Sequence, residues 1–246
     1  MAQTLQEFAQ QHAMGAPGMM SGGHPFEVIN DRFLRVNLGS AMPMVYMKMG
    51  VMVAYTGDLK FEREGILEHG FRHAMKKALT DEGATLVRAS CSKSGAPSQL
   101  FLADEGKSVL LLRLTGDSIV VNGNDLLAFE PSIKHKIAMM RKMSSIVSGG
   151  LFNVRLEGQG FVAILTHGRP VTIPVGPGLP PVFSDPEATV AWSGNLVPDF
   201  HTDVSFKTLI GRSSGESFQM KFVAPKGAGF IVIQPFEEHP PPPQTA

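Results

Sequence analysis

The stretch MVAYTGDL, at Met52–Leu59, decides the fold of this chain because it occurs three times. The second occurrence is LLAFEPSI at Leu126–Ile133, and the third is TVAWSGNL at Thr189–Leu196. Each consists of an aliphatic residue, an alanine, an aromatic ring, a polar turn sequence and another aliphatic residue. Such alternation is typical of a β-strand with one buried face, and the polar triplets are turn formers. Each copy is therefore predicted to be a strand that runs into a tight bend.

A second sequence feature also occurs three times, once after each copy of the recurring stretch. A basic residue follows an apolar strand segment at Arg88, Arg155 and Lys221, and a glycine lies shortly before each segment. Landmarks that keep one order three times predict an internally triplicated, mainly β protein with pseudo-threefold symmetry. The structurally equivalent aromatic positions would be Tyr55, Phe129 and Trp192.

The landmarks also predict the limits of the domain. One β domain is expected over residues 24–238, with three repeats at about 24–105, 106–168 and 169–238. Residues 1–23 are expected to be an N-terminal appendage. The prolines of the segment 239–246 cannot join a sheet interior, so this segment is predicted to be an exposed tail.

Two segments have helical rather than strand spacing. Apolar residues within Glu64–Thr80 and Ile137–Ser148 recur on one helical face, which predicts one or two short helices that connect strands. The pair Asn122-Gly123 is a strong signal for a two-residue hairpin turn.

Composition restricts the class of protein. The chain has 246 residues, 43% of them hydrophobic, which is enough for a globular core. The 22 basic and 22 acidic side chains give a formal net charge of zero, without the positive excess typical of nucleic-acid binding. A single cysteine, the absence of a secretory signal and the absence of a long apolar run predict a cytoplasmic protein with no membrane span.

Two motifs have a catalytic or metal-binding interpretation beside a structural one. Gly211–Gly215 matches Gly-x-Ser-x-Gly, which would make Ser213 a nucleophile, but a strand pattern follows where a hydrolase needs a helix. His69 and His73 share a helical face and are candidate metal ligands, or they are two exposed histidines. We expect no catalytic residue, no resident metal and no cofactor.

Cys91 and the recurring basic residues also have two interpretations each. Nearby Arg88 would favour a reactive thiolate at Cys91, whereas a lone strand cysteine is more commonly a small core residue. Arg88, Arg155 and Lys221 either line a shared surface and bind an anion, or protect strand edges from aggregation.

The landmarks together resemble the altered-inheritance-of-mitochondria protein twenty-four family over about residues 28–238. The most specific pieces are Val53–Leu59, Leu127–Ile133 and the ending Gly229–Pro235. The resemblance implies a fold related to the tryptophan RNA-binding attenuation protein, which is a small double-sheet β unit, and it implies homo-oligomers. It carries no catalytic residue to this chain, and RNA binding does not follow from the fold. The Gln- and Met-rich start and the Pro-rich end depart from the family pattern.

We therefore expect a non-enzymatic β scaffold that binds a protein partner or a second copy of itself, and no nucleic acid. The alternatives are a small-ligand, anion or metal-binding protein and, less favoured, a serine hydrolase.

Overall fold

The fold is mainly β, as the sequence predicts. The computed structural model describes residues 24–63, 86–92, 96–139, 152–202, 218–224 and 227–237. In chain order the strands are β1 Phe26–Ile29, β2 Phe33–Leu38, β3 Met44–Lys48, β4 Met52–Thr56, β5 Leu59–Arg63, β6 Leu86–Cys91, β7 Ser98–Leu102, β8 Ser108–Asn122, β9 Leu126–Phe129, β10 Lys134–Met139, β11 Phe152–Thr166, β12 Val171–Val175, β13 Val182–Ser184, β14 Thr189–Ser193, β15 Asp199–Thr202, β16 Phe218–Phe222 and β17 Gly229–Ile233.

The strands form three antiparallel sheets. One sheet has the order β1-β2-β7-β4 and another the order β13-β16-β15. The largest has the order β12-β17-β14-β8-β11-β9-β3-β6-β5, with β10 paired to β11 beside this path. Strand faces that alternate between apolar and polar residues account for three buried apolar clusters, which lie mainly in the first, middle and last thirds of the described chain.

The long strands β8 and β11 form the centre of the largest sheet. They pair from Asn153 with Asn122 to Thr166 with Ser108, with an irregularity between Glu157 and Gln159. The other edge of β11 is shared, because β10 pairs with its N-terminal part and β9 with its C-terminal part. This one strand therefore contacts three others.

Glycine is required where β11 passes the turn after β9. Gly160 has a φ of +148°, and a Cβ atom there would lie 2.6 Å from Glu130 Oε2 and 2.7 Å from Ser132 Oγ. A larger residue would be strained in the backbone and would displace both side chains. The close approach of β11 to this turn thus depends on the absence of a side chain at Gly160.

A β-bulge occurs in each of the three strands that contain the recurring sequence. The register of β4 against β7 shifts between Met52 and Ala54, so Val53 is the extra residue. The same shift leaves Leu127 as the extra residue in β9, opposite β11, and Val190 in β14, opposite β17. A bulge places two residues opposite one and increases the local twist.

The recurring aromatic residues differ in their exposure. Phe129 and Trp192 are 0% and 4% exposed, whereas Tyr55 is 47% exposed. Phe129 and Trp192 lie on strands with partners on both sides, since β9 lies between β3 and β11 and β14 lies between β8 and β17. In the part of the chain that the structure describes, β4 pairs only with β7.

Two sequence predictions about local structure are wrong. The segment expected to be a helix from Ile137 begins as strand β10, in which Ile137 pairs with Val154. The edge of β11 needs hydrogen-bond partners there, and this tertiary requirement overrides the local helical spacing. The Asn122-Gly123 pair forms a short 3-10 turn, Gly123–Asp125, and not a hairpin, because β8 and β9 lie on opposite sides of β11.

The segments expected to be an N-terminal appendage and a Pro-rich tail lie outside the described residues. The helix predicted over Glu64–Thr80 and the remainder of the Ile137–Ser148 helix lie outside them as well.

Trp192→Ala is expected to lower the free energy of unfolding by about 3–5 kcal/mol, because it would leave a cavity beside Phe222, whose ring centroid is 5.7 Å away. Urea unfolding followed by far-UV circular dichroism measures this without tryptophan fluorescence. Phe33→Ala is the control, since Phe33 is exposed, and it should cost about 1 kcal/mol or less. Equal losses in the two variants would contradict the burial of Trp192.

Candidate functional site

The most exposed apolar feature of the recurring sequence is strand β4. All five of its residues, Met52–Thr56, are exposed, and Val53 is 56% exposed. Tyr55 packs edge-on against Phe61 of β5, with ring centroids 5.3 Å apart. We name Met52, Val53, Tyr55 and Phe61 the β4 surface. Single exposed apolar residues are normal, but a contiguous group on a strand edge is typical of an interaction site.

A second uncovered edge lies on β13. This strand pairs with β16 on one side, and no other described strand pairs with it. Its central residue, Phe183, is 49% exposed, and Lys221 Nζ lies 5.7 Å from the centroid of the ring. We name Val182, Phe183 and Ser184 the β13 surface.

The recurring basic residues lie on three different strands, and each contacts its own neighbours. Arg88 of β6 forms an exposed ion pair with Glu62 of β5, and this hydrogen bond holds the pKa of Glu62 below its usual value. Lys221 of β16 lies over the ring of Phe183. A bound anion would have to compete with these partners.

Arg155 of β11 connects three strands. Its Nη1 donates a hydrogen bond to the carbonyl of Gly194, 2.6 Å away at the end of β14. Its Nη2 donates to Ser118 Oγ of β8 at 2.9 Å, and its Nε lies 3.8 Å from Glu157 Oε2. The guanidinium group can satisfy several acceptors in a fixed geometry, so it holds β14 beside β8. The anion-binding role assigned to Arg88, Arg155 and Lys221 stays a prediction.

Two of the sequence candidates lie outside the described residues: the histidine pair His69 and His73, and the serine motif Gly211–Gly215. Within the described ranges, no group of three or more metal-ligating side chains is close enough to hold a metal ion. Nor does any helix in those ranges have the length and apolarity needed to cross a membrane.

The environment of Cys91 favours the neutral thiol. Burial raises the pKa of Cys91, and a hydrogen bond with Ser98 opposes this effect without overcoming it. The position at the end of β6 is therefore that of a partly buried strand residue and not of an activated thiolate.

Sequence reasoning missed the uncovered edges of β4 and β13. The sequence signal is the same in β4, β9 and β14, so composition cannot show which copy is left uncovered. For β13, the apolar Val182-Phe183 pair was the available signal.

Comparison with known proteins supports the class of protein that the fold defines, a mainly β chain. The family model described as mitochondrial biogenesis AIM24 matches residues 26–236, and the chain belongs to this family. The family expectation drawn from the recurring motifs is thereby confirmed. The fold is also similar to that of a Streptococcus pyogenes protein solved by X-ray crystallography, with a TM-score of 0.63 and 22% sequence identity, over 86% of this chain and 92% of the other. No curated protein matches the chain.

Cys91 is expected to react with a thiol reagent at pH 8 several-fold more slowly in the folded protein than in urea, because its raised pKa and its burial both disfavour the reactive thiolate. Stopped-flow measurement with Ellman's reagent gives both rates. A folded-state rate equal to or above the unfolded one would contradict this environment.

Arg155→Met is expected to lower the free energy of unfolding by about 1–2 kcal/mol, because it removes two hydrogen bonds between strands while part of the side chain already faces solvent. Arg88→Met is the matched control. It removes an ion pair whose partners are both substantially exposed and should cost about 0.5 kcal/mol or less. Urea unfolding of the two variants tests this order, and the reverse order would contradict it.

Proposed function

We propose that this protein is a non-enzymatic β scaffold, built from three copies of one β module, that binds protein through the β4 surface. The observation that carries the proposal is the exposure of β4, whose counterparts β9 and β14 are covered by neighbouring strands.

The strand pairings support the repeat. In residues 24–105, β7 lies between β2 and β4, and β6 lies between β3 and β5. In residues 169–238, β17 lies between β12 and β14, and β16 lies between β13 and β15. In residues 106–168, β11 pairs with β8 along its whole length, with β9 at its C-terminal part and with β10 at its N-terminal part. The strand pairing in residues 106–168 matches that of the other two modules if β8 and β11 each take the place of two strands there.

The registers support it as well. In each module, the recurring basic residue pairs with a residue that follows the recurring aromatic residue at a fixed distance along the chain. These pairs are Glu62 with Arg88, Lys136 with Arg155, and Asp199 with Lys221. Together with the bulge shared by β4, β9 and β14, this agreement supports three copies of one module in a pseudo-threefold arrangement.

The junctions between modules support the proposal that β4 is the binding edge. The first and second modules join through β3 and β9, and the second and third join through β8 and β14. At both junctions the recurring alanine and aromatic residues are buried. The same positions on β4 are exposed apolar groups, and covering them with protein would remove this surface from water, which favours association.

The recurring residues also favour a scaffold over an enzyme. Across the modules they serve strand pairing, packing and strand-to-strand hydrogen bonds, as Arg155 does. We place the protein in the cytoplasm, since a reducing compartment suits its one cysteine.

Val53→Lys tests the proposal, because a lysine on an uncovered strand opposes pairing and burial. We expect it to weaken association, with itself or with a co-purifying partner, by at least about tenfold in Kd. Light scattering after size exclusion, compared with the chain mass of 26.5 kDa, and sedimentation velocity measure the association. Val171→Lys on edge strand β12 is the matched control, because this valine is 58% exposed, and it should have no effect.

A wild-type chain that is strictly monomeric and binds no protein would overturn the proposal. So would association that Val53→Lys and Val171→Lys leave equally strong.

A further inference from the structure

We propose that Asn122-Gly123 is a latent site of self-modification. When the turn Gly123–Asp125 opens, Asn122 loses its side-chain nitrogen as ammonia and becomes aspartate or isoaspartate, after which the turn no longer closes as before. The pair is the only Asn-Gly sequence in the chain, and it does not form the hairpin turn for which such pairs are favoured. The inference goes beyond the proposed function and does not depend on it.

The reaction needs water and no other co-reactant. The backbone nitrogen of Gly123 attacks Cγ of Asn122, so that a new N–Cγ bond forms and the Cγ–Nδ2 bond breaks. Nδ2 leaves as ammonia and takes up the proton that the Gly123 nitrogen loses. Water then opens the five-membered imide at one of its two carbonyl carbons and gives aspartate or isoaspartate. Glycine favours the attack because it has no side chain to hinder its nitrogen.

The backbone conformation of Asn122 keeps the two reacting atoms apart. Ring closure requires the Cα–Cβ bond of Asn122 and the peptide C–N bond to Gly123 to be nearly eclipsed. Asn122 has a φ of −60° and a ψ of 132°, an extended conformation in which these two bonds are far from eclipsed. To react, Asn122 would have to leave the extended region for a sparsely allowed one. The folded backbone therefore prevents the attack.

Hydrogen bonds and burial hold Asn122 in that conformation. Its Oδ1 accepts a hydrogen bond from the backbone nitrogen of Asn124 at 3.1 Å, so the side chain caps the turn. Asn122 is 3% exposed, and Gly123 is buried as well. At the end of β8, Asn122 also pairs with Asn153 of β11. The pair can react only when this end of β8 and the turn separate locally from their neighbours.

Two lysines from outside the turn hold it closed. Lys48 Nζ of β3 donates a hydrogen bond to the carbonyl of Asn124 at 2.9 Å and lies 2.5 Å from Asp104 Oδ2. Lys107 Nζ lies 3.3 Å from Asp125 Oδ1, and both of these side chains are almost fully buried. The turn is thus tied to β3 and to the segment before β8, and opening it requires these contacts to break.

The modification would hinder the turn from closing again. Lys48 and Lys107 already face the carboxylates of Asp104 and Asp125, and Asp125 is 0% exposed. A carboxylate at residue 122 would add a further negative charge to a turn with little access to solvent, which is costly. Isoaspartate would also lengthen the main chain by one carbon between β8 and the turn. A transient opening would become permanent, and β9 would lose its position between β3 and β11.

The rates of deamidation in folded and unfolded chains test the proposal. The full chain is incubated in mildly alkaline buffer with and without denaturing urea. Mass spectrometry follows the peptide that contains Asn122, and electron-transfer fragmentation identifies isoaspartate. We expect the folded chain to react at least about tenfold more slowly than the unfolded chain. Asn195, which is exposed and precedes a leucine, is the internal control and should stay intact in both samples. Equal rates at Asn122 in the two samples would overturn the proposal.

A second measurement distinguishes opening of the turn from unfolding of the whole chain. At low urea concentrations the rate in the wild-type chain should change little, since a local opening exposes little surface. A rate that rises with the full slope of global unfolding would overturn the role of the turn.

A variant that loosens the turn tests the same point independently. Lys48→Met removes the hydrogen bond to the Asn124 carbonyl and should raise the rate in the folded chain several-fold, while the rate in urea stays unchanged. Arg88→Met removes an exposed ion pair on β6 and is the matched control, which should leave both rates unchanged. Circular dichroism checks that both variants fold. Equal folded-state rates in the two variants would contradict control by the turn.

Asn122→Asp imitates one product and tests the consequence of the modification. The aspartate keeps the acceptor for Asn124 N, so the variant changes the charge and little else. We expect the midpoint of its urea unfolding to fall below that of the wild-type chain. A midpoint equal to or above the wild-type value would overturn the inference that the modified turn no longer closes as before.

Discussion

The structure depends on the coverage of strand edges. A β-strand has backbone hydrogen-bonding groups on two edges, and where these groups are buried they need a partner, which a neighbouring strand supplies. β11 shows the constraint satisfied, because β8, β9 and β10 together cover it along its length. β9 and β14 satisfy it through neighbours from outside their own repeat of the sequence, so the coverage of edges also fixes how the three parts of the chain pack.

The strands themselves could be predicted from the sequence, because their determinants are local. Alternation with a period of two, followed by a Gly- or Pro-containing turn, correctly placed β4, β9 and β14. Which strands are paired on both edges could not be predicted, because the pairing partners lie far away in the chain. MVAYT and TVAWS are similar in composition, yet Tyr55 is exposed on a strand with one partner, whereas Trp192 is buried on a strand that pairs with both β17 and β8. The strand at Ile137 was missed for the same reason, since its partner Val154 on β11 is not visible in the local pattern.

The recurring basic residues show that a spacing found in the sequence can also hold in the structure without revealing what the residues do. The spacing of Arg88, Arg155 and Lys221 suggested either anion binding or edge protection, and both require a set of charges that act alike. The structure gives each a different partner: a carboxylate for Arg88, a carbonyl and a hydroxyl for Arg155, and an aromatic ring for Lys221. What Arg88 and Arg155 share is that each pairs with the residue that lies opposite a recurring aromatic residue, Phe129 or Trp192. Their recurrence is thus most useful as a marker of register.

The composition of β4 is that of a covered strand and not of a protected edge. The edge strand β12 contains Pro174, and the edge strand β5 carries Lys60 and Glu62, which are common means of preventing unwanted pairing. β4 has neither proline nor charge. It does have a bulge at Val53, and a bulge can protect an edge, but the equivalent bulges in β9 and β14 are compatible with full pairing. The bulge therefore does not explain why only one described strand pairs with β4, and the likeness of β4 to its two covered counterparts supports the proposal that protein binds there.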